Sequence, residues 1–247
     1  MTAAFDPRFL LLALIVLASY VAGTVSGFGV IVIATTLGAQ LYPLKELLPV
    51  LVPMSLVLTS IILIRHHEHI DRALLWKRIL PLMSVGVVIG MALFHVVDTA
   101  LMRTGFGMLV VVLAVSELWR LLRNRPDERP HSHRHAAPWL LASGLVHGLF
   151  ATGGPPLVYA LSRMKLDKSV FRSTLTAVWL VLNIVMTGSY IVAGRIGTGE
   201  LKAMGFLLPL VPIGLAVGER IHGRIDERRF RMVVFATLLV AGGALCR

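Results

Sequence analysis

The chain has 247 residues, 56% of them hydrophobic, a mean hydropathy of +0.80 and a formal net charge of +11. Soluble domains are roughly 45 to 50% apolar, so a water-soluble globule is excluded and nearly the whole chain reads as membrane-embedded. The basic residues sit in joints between apolar runs, where they set orientation in a bilayer and argue against nucleic acid as a partner. The single cysteine, Cys246, excludes an intrachain disulfide or a multi-cysteine metal site.

The first apolar block runs from Phe9 to Leu41 and is read as retained, not as a cleaved signal peptide. As one straight helix it would be about 50 Å long, against a hydrocarbon core of about 30 Å. It must break, and the run GTVSGFG, Gly23 to Gly29, supplies the break. Blocks at Leu47 to Ile64, Ile79 to Val97 and Leu101 to Leu122 follow, each of crossing length. The joint from Arg123 to Ala137, rich in Arg, His and Pro, divides the chain. A second broken block, Pro138 to Ser162, is interrupted by ATGGPP, Ala151 to Pro156, and precedes blocks at Ser173 to Ala193, Leu201 to Val217 and Phe230 to Cys246.

The two halves repeat. LPLMSVGVVIG (Leu80 to Gly90) lies over LPLVPIGLAVG (Leu208 to Gly218) at an offset of 128, and Gly23-x-x-x-Gly27 lies over Gly144-x-x-x-Gly148 at 121. The expected organisation is a first repeat over 1–122, a linker over 123–137 and a second repeat over 138–247, together one transmembrane domain.

Loop charge arbitrates between kinked crossings and re-entrant hairpins. If all eight blocks cross, 13 of the 24 basic residues fall on one side and no bias results. If the two broken blocks enter and return on one side, 18 of 24 share a face, which is the positive-inside pattern. Each half then has a hairpin and three crossings, so the halves are inverted. The expected fold is all-α integral membrane, two inverted repeats of a broken hairpin plus three helices, as in secondary transporters. It places the linker in the cytoplasm and both termini in the periplasm.

A returning half-helix aims its free N–H groups and positive dipole end into the membrane, which suits an anion. The candidate substrate-binding residues are therefore Thr24, Ser26, Gly27, Phe28 and Gly29 at the first tip, and Thr152, Gly153 and Gly154 at the second. Close helix packing is the plainer reading of the same glycines. Asn183 joins the candidates because a buried amide needs a partner; at the 128 offset it matches Ser55, as Thr187 matches Thr59. Hydroxyls in helices commonly bond their own backbone, so Thr59 is a gating candidate only. His147 suits proton coupling or, more ordinarily, an interhelical hydrogen bond. The clusters His66-His67-Glu68-His69 and His131 to His135 could grip a transition metal, but their joint positions favour solvated loops, and no metal or cofactor is expected. Intramembrane hydrolysis is a poor reading, since Thr24 stands where a Gly-x-Ser-Gly motif needs glycine and no HExxH occurs.

GTVSGFG in the first half, with GLFATGGPPLVYAL and KLDKSVFRST in the second, resembles the TauE/SafE sulfite exporter family, also called TSUP, over essentially the whole chain. The resemblance implies a bacterial inner-membrane transporter of small sulfur-containing anions such as sulfite or organosulfonates, with protons as the expected coupling ion. Val30 departs from the further glycine usual in the family's first motif. Arg172, in the FRST segment, is either a gate that attracts anions or an ordinary cytoplasmic anchor. The alternatives are a passive anion channel and a metal-handling membrane protein.

Overall fold

The computed structural model of the protein describes residues 6–26, 29–123, 133–162, 166–222 and 226–247. Among these every regular element is helical: α1 Pro7–Ser26, α2 Val30–Gly38, α3 Leu44–His66, α4 Arg72–Leu74, α5 Leu80–Val96, α6 Thr99–Arg123, α7 His133–Phe150, α8 Gly154–Ser162, α9 Lys168–Val192, α10 Thr198–Leu207, α11 Leu210–His222 and α12 Glu227–Leu245. A 3-10 turn at His67–His69 follows α3, and a π-helical turn at Leu75–Ile79 joins α4 to α5. Among the described residues six helical stretches are long and apolar enough to cross a membrane, as a multi-pass membrane protein requires. Outward-facing valines such as Val88, Val112 and Val240, each more than half exposed, are suited to lipid contact.

Both broken blocks break where glycine and proline direct. α1 stops at Ser26 and α2 starts after Gly29, whose φ of +87° only glycine adopts without strain. α7 stops at Phe150, and Ala151 takes a φ of +55° before α8 begins. The arms of the first hairpin are unequal: α1 has 20 residues and α2 has 9. The apolar run LLLALIVLASYV has nothing to interrupt it, so α1 alone reaches about 30 Å.

The register of the duplication also differs from the expected 121 at the hairpins. The ends of α1 and α7, both bounds of α2 and α8, and the starts of α3 and α9 all lie 124 apart, while α6 and α12 start 128 apart. Gly144 and Gly148 thus correspond to Tyr20 and Thr24, and Gly153 to Gly29. At the spacing of the helix bounds Gly23 and Gly27 do not lie over Gly144 and Gly148. Pro81 and Pro209, matched at 128, both mark departures from regular helix: the π turn lies just before the first, and the second lies between α10 and α11. A proline supplies no N–H and crowds the carbonyl four residues back.

The chain forms two compact units, and each draws on both sequence halves. One takes the described residues of 1–51, 98–125 and 194–247, the other those of 52–97 and 126–193. In the first unit α1 packs on α11, where Gly214 admits Leu17 and Tyr20 and Gly218 admits Val21 and Thr24. In the second α5 packs on α7 in the corresponding register: Gly86 meets the backbone of Leu141 and Leu145, and Gly90 that of Leu145 and Gly148. Such small-residue seams replace hydrophobic packing where lipid competes for apolar surface. Around the second seam Met83, Val87, Leu140, Leu157, Val178 and Leu182 form a continuous buried core.

A Cβ at Gly86 would fall on the backbone of α7, whereas one at Gly188 in α9 meets nothing within 4 Å. G86A is therefore expected to lower the folded yield and thermal stability in detergent, with G188A neutral or stabilising by about 0.5–1 kcal/mol. Size-exclusion profiles and melting curves of the two variants measure this.

Candidate functional site

The second hairpin is organised by its tip. The Ala151 N–H still donates to His147 O at 2.7 Å, as the last bond of α7, and the backbone then turns through the positive φ of Ala151. Ser143 Oγ donates to the carbonyl of Gly153, ten residues on. A straight helix would hold those residues about 15 Å apart, so the chain has doubled back. Gly153 is the residue that permits it, because a Cβ there would strike the Ser143 carbonyl and the Cβ of His147.

α8 opens with Gly154, Pro155 and Pro156. The two prolines have no N–H, so this helix start keeps its dipole but presents fewer backbone donors than an ordinary one. Side chains must make up the difference. Thr152 is 3% exposed, and its Oγ1 is buried without a hydrogen-bond partner among the described residues.

Behind the tip runs a buried polar chain. His147 Nε2 lies 3.0 Å from Asn183 Oδ1, and Asn183 Nδ2 donates to Ser55 Oγ at 2.9 Å. Ser55 in turn donates to Val52 O at 2.6 Å. The chain ties α7 to α9 and to the part of α3 that lies in this unit. His147 is fully buried, its ring stacks on Trp179 with centroids 5.1 Å apart, and Nδ1 has no partner among the described residues. Trp179 is also the first side chain a Cβ at Gly154 would meet, at 3.8 Å. Asn183, His147, Thr152, Gly153 and Gly154 are thus brought together.

The first tip, in the other unit, has a different character. Beyond Gly29 the residues Val30, Ile31 and Val32 begin α2 with their N–H groups intact, and Ile33 N–H donates to Gly29 O at 2.9 Å. Thr24 is engaged elsewhere: its hydroxyl donates to Tyr20 O at 2.8 Å while its carbons lie on Gly218. Gly27, Phe28 and the side chain of Ser26 lie outside the described residues. Thr35, fully buried in α2, has an Oγ1 without a partner among the described residues.

Of the remaining candidates, Thr59 donates to Ser55 O and Leu56 O in its own helix, and Arg172 is exposed in the second turn of α9. The FRST segment has another role in Thr174, whose buried hydroxyl accepts from the Asp71 N–H at 3.0 Å and so holds the start of α4 to α9. The cluster His131 to His135 and the side chain of His66 lie outside the described residues. Sequence reasoning missed Ser143, Trp179 and Thr35. Trp179 had a usable signal: it stands four residues before Asn183, on the same face of α9.

Residues 11–245 match the family described as Sulfite exporter TauE/SafE. A protein of Cupriavidus necator named probable sulfite/organosulfonate exporter TauE is 25% identical over 228 residues, which cover 90% of this chain and 87% of that one. A second relative, the probable inner membrane transporter protein TsaS of Comamonas testosteroni, is 28% identical over 184 residues, 70% of this chain and 72% of that one. No solved structure matches. With nearly its whole length matched, and with a multi-pass helical fold, the chain belongs to the sulfite exporter TauE/SafE family of membrane transporters.

Proposed function

We propose that this protein is a secondary transporter that moves a small sulfur-containing anion, sulfite or an organosulfonate, across the bacterial inner membrane, driven by the proton motive force. The observation that carries this reading is the buried Thr152 hydroxyl without a partner at the start of α8. An anion at that helix start would gain the dipole and the hydroxyl donor together. Gly153 seats the tip on α7, and the small residue Gly154 lets the ligand approach the backbone. The names of the two relatives support the substrate class. The inverted arrangement of the halves, alternating access at the two tips and the cytoplasmic linker belong to the same proposal, with loop charge as their support.

Proteoliposomes holding the purified protein should accumulate labelled sulfite or an organosulfonate when a proton gradient is imposed, with saturation. A hydrogen bond to a charged group contributes about 1.5–3 kcal/mol. T152V, which keeps the shape and removes the hydroxyl, should therefore raise KM by roughly 10- to 100-fold. A wild-type KM in T152V removes the assignment of the tip, and a gradient-independent conductance makes the protein a channel.

Orientation is checked in intact cells after Cys246 is replaced by serine. A cysteine at Asp6 should react with a membrane-impermeant thiol reagent, and one at Arg129 should be protected. The opposite pattern overturns the topology.

A further inference from the structure

The direction of each hydrogen bond behind the tip fixes the tautomer of a neutral His147. Ser55 uses its one hydrogen on Val52 O, so toward Asn183 it can only accept. Asn183 must then turn its amide nitrogen to Ser55 and its carbonyl oxygen to His147, and that oxygen can only accept. The hydrogen of the neutral imidazole therefore sits on Nε2. Nδ1 is left as a bare lone pair, buried and without a partner among the described residues.

A bare acceptor is out of place beside an anion site, because two lone pairs facing each other repel. The ring's surroundings do not relieve this. α9 presents Trp179 and Asn183 to it, and Ser143 and Gly153 pack beside its Cβ. The seam with α5 brings Val87, Gly90 and Met91 to Gly148, the next residue of α7. None of these carries a charge.

We propose that Nδ1 of His147 accepts a hydrogen bond from the transported anion itself, so that the site takes an anion still carrying one dissociable proton. Hydrogen sulfite, through its O–H, is bound in preference to the sulfite dianion. The selection rests on the transport reading of the tip, with Thr152 donating to one anion oxygen and His147 receiving the hydrogen of another. It makes the coupling proton a passenger on the substrate: no proton need leave the ligand, and the imidazole stays neutral throughout. The residue determines which protonation state of the substrate is accepted.

Two measurements on the reconstituted full chain test this. In protein labelled with 15N-histidine, the signals lost in H147Q identify His147. They should show the Nε2-protonated tautomer, with an Nδ1 resonance that moves on addition of sulfite and stays put with methanesulfonate, a sulfonate with no dissociable proton. In flux assays the wild-type KM for total sulfite should rise by about tenfold per pH unit once the dianion predominates. H147Q keeps an amide within reach of Asn183 but has no acceptor where Nδ1 was, and its KM should be flat over that range. An Nδ1-protonated tautomer, an Nδ1 resonance indifferent to sulfite, or a pH-independent wild-type KM overturns the proposal. Absence of flux for any sulfur anion overturns the transport reading instead, and the resonance still reports whether a proton-bearing anion reaches His147.

Discussion

A helix that stops inside an apolar run strands backbone N–H and C=O groups where water is not at hand to take them. The second unit is arranged around that cost. Ser143 takes the carbonyl of Gly153, and the missing side chain of Gly153 lets the tip lie directly on α7. Pro155 and Pro156 start α8 with two residues that have no N–H to strand. In this unit the hydroxyls of Thr152 and Thr187 and Nδ1 of His147 are buried without a partner among the described residues, and of these Thr152 and His147 belong to the tip and the helix leading into it. A buried polar atom left without a partner costs about 1–3 kcal/mol, and a ligand that arrives with the complementary group recovers it.

The breaks were legible because glycine and proline act locally: GTVSGFG and ATGGPP announce a helix end whatever surrounds them. The membrane class was legible from hydropathy for the same reason. Asn183 was legible as a residue in need of a partner, and its partners are His147 and Ser55. The register of the hairpins was not, because in the first unit the seam has its glycines on α11 alone. Gly214 and Gly218 accept Tyr20 and Thr24, side chains that no search for paired glycines would select. Thr24 and Thr59 could not be sorted from Thr152 by residue type. The first two sit inside helices with a carbonyl one turn back, and the third sits past a helix end without one. Trp179 reads as one more apolar residue of α9 until the imidazole stacked on it is known.

The two tips differ in chemistry. The first retains the backbone donors of Val30, Ile31 and Val32 behind Gly29. The second has two prolines without N–H at its helix start, with buried Thr152 before them and His147, on the preceding helix, held to Asn183. At the 124 register His147 corresponds to Gly23 and Thr152 to Phe28. The polar apparatus of one copy thus has no counterpart in the other.

The α5–α7 seam has a mechanical consequence. Packed helices slide past one another by small rotamer changes in the side-chain layer between them. At Gly86, Gly90, Gly144 and Gly148 that layer is missing and backbone lies on backbone. The two helices are in effect splined: they cannot shear, and they turn as one piece. The softer joint is at the start of α5, where the π turn at Leu75–Ile79 runs into Pro81 and the regular ladder of hydrogen bonds is already interrupted. The hairpin tip with His147 is thus carried on a rigid pair whose interrupted end, the π turn, lies in the other half of the sequence.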